Sequence, residues 1–156
     1  MRVHHSRGGI LDSVLYYPIF LSLAGRDVLV VGAGKVALRK TKGLLEAGAR
    51  VTVIAPRCEP AFEELPVTLR RRKFRISDVA GAHLVFAATD DRRVNHAATA
   101  AAKQRGIPVN VADSRDECDF IVPARITRKR LQIAVSTGGE SPRLAAALRR
   151  RIEDIL

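Results

Sequence analysis

Tryptophan is absent, aromatic residues make up only 4% of the chain, and there is a single methionine. Proteins that hold single-stranded nucleic acid stack its bases on aromatic faces, so this scarcity counts against that class. Cysteine is scarce too. The only two, Cys58 and Cys118, stand far apart and in no metal-ligand spacing. That argues against a disulfide framework and suits free thiols in a reducing cytoplasm. Also missing is an apolar run of membrane-spanning length. Residues Ile10 to Leu23 are apolar-rich, but Asp12, Ser13 and Pro18 interrupt them and the stretch is too short to cross a bilayer. The start of the chain lacks the apolar core of a signal peptide. These absences predict a soluble cytoplasmic protein without a membrane partner.

What is present is a balanced, strongly basic chain. Its 156 residues suit one domain with a small appendage, and 47% apolar content is enough for a real core. No internal repeat or low-complexity linker divides it. With 27 basic and 16 acidic residues the formal charge is +11. Such an excess attracts an anion: nucleic acid, an anionic surface or a polyanionic small molecule.

The organising stretch runs from Asp27 to Gly48. Val28-Leu29-Val30-Val31 reads as a strand buried on both faces. Gly32-Ala33-Gly34 follows, and Val36 to Ala47 then carries apolar residues at helical spacing, closed by Gly48. Gly32-x-Gly34-x-x-Ala37 is the strand–turn–helix form of a dinucleotide-binding turn. Gly32 permits the tight turn, Gly34 lets backbone N–H groups approach a pyrophosphate, and Ala37 lets the helix pack closely. The free N–H groups and partial positive charge of the helix start face the anion.

A second apolar strand, Val51 to Ala55, comes next. Pro56 and Arg57 then fall where an Asp or Glu, about 20 residues past the first glycine, would hold the adenosine ribose of NAD. The first acid here is Glu59, so the motif leaves NAD against NADP open, and Arg57 would tolerate a 2′-phosphate. A short helix is expected over Glu59 to Leu65 and a third strand over Val67 to Phe74, ending in the basic run Arg70-Arg71-Arg72-Lys73. Leu84 to Ala88 reads as a fourth strand ending in Thr89-Asp90-Asp91, Val94 to Arg105 as a helix, and Val109 to Ala112 as a fifth strand ending at Asp113. Ligands of open α/β sheets gather beyond the carboxyl ends of the strands. Gly32–Gly34, Pro56–Arg57, Thr89–Asp91 and Asp113 are therefore expected around one crevice.

After Ser114 the alternation stops. Phe120 to Ala124 and Leu131 to Ser136 read as two strands joined through Arg128-Lys129-Arg130. Two strands alone are marginal in water, so a second subunit is expected to complete them. Thr137-Gly138-Gly139 leads to a helix with Ser141 as N-cap and Pro142 in its first turn, and this helix carries Leu144, Leu148, Ile152 and Ile155 on one face. The expected organisation is a dinucleotide-binding domain over 1–113 (with a flexible leader at 1–9 containing His4 and His5), a dimerisation segment over 114–140 and a terminal helix over 141–156.

Several runs together resemble one family. They are Pro18 to Leu21, Val30 to Lys40, Leu45 to Val53, Ala87 to Asp91 with Val94-Asn95, Val109 to Asp113, and Ala134 to Gly139 with Ser141-Pro142. In this order they resemble the precorrin-2 dehydrogenases, the N-terminal module of siroheme synthase. The resemblance implies an α/β Rossmann-type parallel sheet, a small β dimerisation segment, a C-terminal helical region and an intertwined homodimer. It implies NAD-dependent oxidation of precorrin-2 to sirohydrochlorin, with ferrous iron insertion in some members. Asp113 matches the family's catalytic aspartate, and Lys35-Val36 and Pro56-Arg57 match its cofactor-contacting positions. Three departures stand out: a short helical region, Thr137 where Ser is frequent, and a longer leader before Pro18.

The residue chemistry runs parallel to that likeness. Precorrin-2 is a polycarboxylate, which the positive charge would attract. Thr137-Gly138-Gly139 suits a carboxylate cradle or a plain helix cap, and Arg125, Arg128 and Arg143 are candidate carboxylate partners or solvated surface. Dehydrogenation sends a hydride to the nicotinamide and a proton to a base, and Asp113 at a strand end is placed to be that base or a turn residue. Thr89 and Asp90 are expected at the cofactor loop, Asp91 there or as a helix cap, and His83 and His96 on the surface. No residue set has metal-site spacing. The competing reading is a basic Rossmann module that senses NAD(H) and binds nucleic acid or a protein partner.

Overall fold

The computed structural model describes residues 16–156. The expected leader at 1–9, with His4 and His5, lies outside the described residues. Those described fall into two compact units, one of them Phe20–Ile121 and the other containing Val122–Leu156.

In the first unit, five parallel strands stand in the order β3-β2-β1-β4-β5. They are β1 (Asp27–Val31), β2 (Arg50–Ile54), β3 (Thr68–Arg70), β4 (Leu84–Ala87) and β5 (Val109–Val111). Two α-helices, α1 (Lys35–Glu46) and α2 (Arg92–Gln104), connect β1 to β2 and β4 to β5. Side chains alternate across a strand, and β1 shows why its whole run is apolar. Val28 and Val30 pack with Ala37 and Leu44 of α1, while Leu29 and Val31 pack with Ala98, Ala101 and Ala102 of α2. With helices on both faces, no polar residue is tolerated from Val28 to Val31.

Chain order explains where the crevice lies. The chain steps outward from β1 through β2 to β3, then returns to the other side of β1 for β4 and β5. Between β1 and β4 the crossovers part to opposite faces, leaving a cleft at the carboxyl ends of the strands.

Several sequence expectations are corrected in extent. β3 is three residues long, not the run Val67 to Phe74, because as an edge strand it has one neighbour and its basic tail is drawn away. Arg72 donates from both terminal nitrogens to Asp78, at 2.8 and 2.6 Å, and the Arg75 backbone N–H donates to Asp78 at 2.7 Å. The helix expected over Glu59 to Leu65 is only a 3₁₀ turn, Pro60–Phe62, which sinks Phe62 into the core. The α2 helix starts two residues earlier than its expected start at Val94, because Asp91 caps it by accepting from the Arg93 N–H at 2.9 Å. Gly48 ends α1 as expected, at φ +79°.

The Arg72 guanidinium, then burial and backbone bonding against it and with it, leave the Asp78 carboxyl below the ordinary carboxylate range. A carboxyl depressed on folding contributes stability above its unfolded pKa and loses it as pH falls through the folded one. Acid unfolding below the usual carboxylate range should therefore be less steep in Asp78→Ala, which at neutral pH should lose about 1–2 kcal/mol with its hydrogen bonds. Urea melts across pH test both.

The second unit contains an antiparallel pair, β6 (Ala124–Arg128) and β7 (Leu131–Val135), and α3 (Pro142–Ile155). Ala124 pairs with Val135 and Arg128 with Leu131, so the turn is Lys129-Arg130, with Lys129 at φ +53°. The expected first strand, Phe120 to Ala124, is thereby moved along: Pro123 has no N–H to give a ladder, and Phe120 instead packs edge-on against Phe86, 5.4 Å between centroids. Ser141 caps α3 through the Leu144 N–H, and Pro142 sits in its first turn, as expected. Leu144, Leu148 and Ile155 are exposed in this chain, whereas Ala145 is buried.

Candidate active site

The turn after β1 is built against the end of β4. The Gly32 N–H donates to Ile54 O at 2.8 Å, and the Ala88 N–H to Val31 O at 2.8 Å. At φ +107°, a Cβ on Gly32 would lie 2.4 Å from the Ala88 carbonyl oxygen. Glycine is required there twice over, by conformation and by contact. Gly34 differs. A Cβ there would meet nothing within 4 Å, so the protein itself leaves that space open.

Gly34 is the N-cap of α1, with no side-chain cap and no acidic residue in the first turn. The first-turn N–H groups, including those of Lys35, Val36 and Ala37, therefore keep their capacity for an anion. Lys35 and Val36 are exposed, and Ala37 is fully buried against the sheet. A turn without Cβ atoms, an uncapped helix start and a basic first residue fit a dinucleotide pyrophosphate.

The neighbouring strand ends converge on the same edge. Pro56 and Arg57 follow β2 and are exposed, and the Glu59 N–H ties that loop to Ala33 O at 2.9 Å. After β4, the loop of Thr89 and Asp90 is held from beneath by Asn95, a residue with no exposed surface. Its Oδ1 accepts from the Thr89 N–H at 3.0 Å and from the Thr89 hydroxyl at 2.8 Å, and its Nδ2 donates to Thr89 O at 3.0 Å. From sequence, Asn95 figures only within the run Val94-Asn95 and is given no role, although an Asn one turn into an alanine-rich helix is a visible sign. Asp91 is the cap, and its carboxyl is held low first by the Arg93 backbone N–H and then by the Arg93 side chain.

Asp113 lies two residues past β5, and β5 is the edge of the sheet. An edge strand needs partners for its outer N–H groups, and the returning loop supplies them. The Asp119 N–H donates to Val109 O, and Asp119 Oδ2 accepts from the Val109 N–H, both at 2.9 Å. Cys118 Sγ accepts from the Val111 N–H at 3.1 Å. Asn110 donates to Phe120 O at 2.9 Å and accepts from Lys40 Nζ of α1 at 2.7 Å. Burial draws the Lys40 ammonium below the ordinary lysine range, with Arg39 adding to it. Helix α1 and the strand leading to Asp113 are joined through this lysine and amide.

The Asp113 carboxylate is about one-third exposed, at 37%, and Arg92 Nη1 lies 3.6 Å from its Oδ1. Arg92 also pairs with Glu117, whose carboxyl it holds below the usual range, first by hydrogen bonding. Neither Arg92 nor Glu117 was singled out from sequence, because the pair spans a helix start and a loop whose fold depends on the β5 edge.

The structure brings Gly32, Gly34, Lys35, Val36, Ala37, Pro56, Arg57, Thr89, Asp90 and Asp113 to the carboxyl ends of one sheet. Arg125, Thr137, Gly138, Gly139 and Arg143 belong to the second unit. There Gly138 and Gly139 have φ of +63° and +86°. Ser136 Oγ accepts from the Gly138 N–H at 3.0 Å, and Thr137 Oγ1 accepts from the Ser141 N–H at 3.0 Å, which leaves the Thr137 hydroxyl proton available. Among the described residues, no group of three or more His, Cys, Asp or Glu is placed to hold a metal ion, and no helix is long and apolar enough to cross a membrane.

Comparison with known proteins adds an independent line. The family model described as "Putative NAD(P)-binding" matches residues 19–124, and that of the sirohaem biosynthesis protein central region matches residues 128–155. The chain is 53% identical over 142 residues to siroheme synthase of Methylococcus capsulatus, covering 88% of this chain and 30% of that protein. It is 43% identical over 146 residues to siroheme synthase of Nitrosomonas eutropha, covering 90% and 31%. It thus spans about three-tenths of the length of those relatives. Among solved structures, SirC, a precorrin-2 dehydrogenase, superposes with a TM-score of 0.79 at 32% identity, covering 90% of this chain and 71% of that one.

Proposed function

Since this chain belongs to the precorrin-2 dehydrogenase family, we propose that it oxidises precorrin-2 to sirohydrochlorin on the route to siroheme, with NAD as the cofactor and Asp113 as the proton acceptor. The observation that carries this reading is the placement of Asp113 at the carboxyl-end side of the same sheet as the uncapped glycine turn. When bound, NAD supplies the hydride acceptor. The first-turn N–H groups of α1 would hold its pyrophosphate, with Lys35 beside them, and Pro56, Arg57, Thr89 and Asp90 would border its adenosine and nicotinamide portions. Asp113, with Arg92 Nη1 3.6 Å from its Oδ1, takes the proton that leaves the macrocycle as the hydride departs.

The substrate's carboxylates require cations and N–H donors. Arg125, Arg143 and the Thr137-Gly138-Gly139 loop are proposed for that work, and the +11 charge would favour the encounter. Cys58 and Cys118 are free thiols, in keeping with a proposed cytoplasmic location. A homodimer is proposed because β6 and β7 form a two-stranded sheet and the α3 leucines are exposed. Sedimentation equilibrium should give twice the chain mass, and a monomer at micromolar concentration would refute it. For the activity, purified protein mixed with precorrin-2 and NAD should generate the sirohydrochlorin spectrum together with NADH. Absence of both would reject the proposed reaction.

A further inference from the structure

Asp113 stands on a loop with a third of its carboxylate in solvent, and Arg92 is its side-chain partner among the described residues. A carboxylate so placed rotates freely about χ1 unless something holds it, and a proton acceptor that wanders loses rate. Arg92 lies within ion-pair distance of it, at 3.6 Å. Asp91 caps α2, which makes Arg92 the first helical residue and sends its side chain across to the loop after β5. On the far side, the guanidinium is paired by both terminal nitrogens with Glu117. Glu117 ends a 3₁₀ turn, Arg115–Glu117, fastened to the β5 edge by the neighbouring Cys118 and Asp119. His96, one turn along α2, approaches Glu117 at 3.8 Å from the outside.

We infer that Arg92, anchored by Glu117, is a positioning residue for Asp113: it fixes the direction of the carboxylate and offsets the repulsion between that carboxylate and an incoming polyanion. The inference rests on the reading of Asp113 as proton acceptor. A planar fork can bind Glu117 with two nitrogens and still reach Asp113, whereas a lysine ammonium cannot span both in the same geometry.

The test compares wild type, Arg92→Ala, Arg92→Lys and Glu117→Gln by two readouts. In the first, NMR couplings across the Asp113 Cα–Cβ bond should report one rotamer in wild type and an average in Arg92→Ala, with Asp90 unchanged as control. In the second, Arg92→Ala should lower kcat for precorrin-2 oxidation by about 10–100-fold with the KM for NAD within about twofold. Added guanidinium ion should restore part of the loss, Arg92→Lys should recover less than half of it, and Glu117→Gln should show a smaller loss of the same kind. In an Asp113→Asn background, Arg92→Ala should cost nothing further, since the two act through one group. Asp113 couplings unchanged in Arg92→Ala would overturn the inference, and so would full additivity of the two substitutions. Wild-type protein that oxidises no precorrin-2, with couplings that still average in Arg92→Ala, would remove the proposed reaction while leaving the positioning contact supported.

Discussion

Gly32→Ala is expected to unfold or cripple the first unit, with a loss on the order of 3 kcal/mol or more and no measurable NAD binding. Two costs combine. An alanine at φ +107° is strained, and its Cβ would be driven to 2.4 Å from the Ala88 carbonyl oxygen. That atom is backbone, at the root of the Thr89 loop, so relief would come only by pushing β4 from β1. Gly34→Ala supplies the contrast. Gly34 has φ −87°, which any residue adopts, and a Cβ there meets open space. Its urea midpoint should stay close to wild type, a change under about 1 kcal/mol, while NAD affinity falls by roughly 10-fold or more because the methyl occupies room needed by the pyrophosphate. Calorimetric titration with NAD beside urea melts separates the two. Equal stability losses in both variants would refute the division of labour between the glycines.

Asp113→Asn is the second large expectation. The amide keeps the shape of the side chain but cannot take the proton, so kcat for precorrin-2 oxidation should fall about 10²–10⁴-fold. NAD affinity should change by less than about twofold, because the turn that would hold the cofactor is formed by β1 and α1 rather than by the β5 loop. Stability should change little, since the carboxylate is partly exposed and its ion pair with Arg92 is a long one. Stopped-flow measurement of NADH formation in one turnover reads the chemical step directly. Undiminished oxidation in the asparagine variant would transfer the base to another group.

Much of the first unit was legible in the sequence because its physics is local. Val28 to Val31 and Leu84 to Ala87 are continuous apolar runs since each strand is covered on both faces, and the glycines mark the turn that must approach a neighbouring backbone. The α3 cap was legible for the same reason, as Ser141 and Pro142 act within one turn. What failed depended on partners distant in sequence. β3 stops at Arg70 because Arg72 turns back to Asp78, and an arginine run gives no hint of which acid will claim it. Phe120 looks like a strand residue by composition, yet it is drawn to Phe86 by an edge that exists only once β5 has formed. Within the candidate site, the position of Asp113 and the glycine turn at the carboxyl ends of the strands was foreseen, whereas the bonds that Asn95 makes to the Thr89 loop, and the pair Arg92 and Glu117, emerged only from tertiary placement.

A crystal structure of the chain with NAD bound gives the most direct trial of the account. The nicotinamide ring should lie on the Asp113 side of the crevice, with the carboxylate directed toward it and a tetrapyrrole-sized opening between them. A carboxylate turned from the ring, or a dinucleotide lying elsewhere than on the Gly32–Gly34 turn, would contradict it.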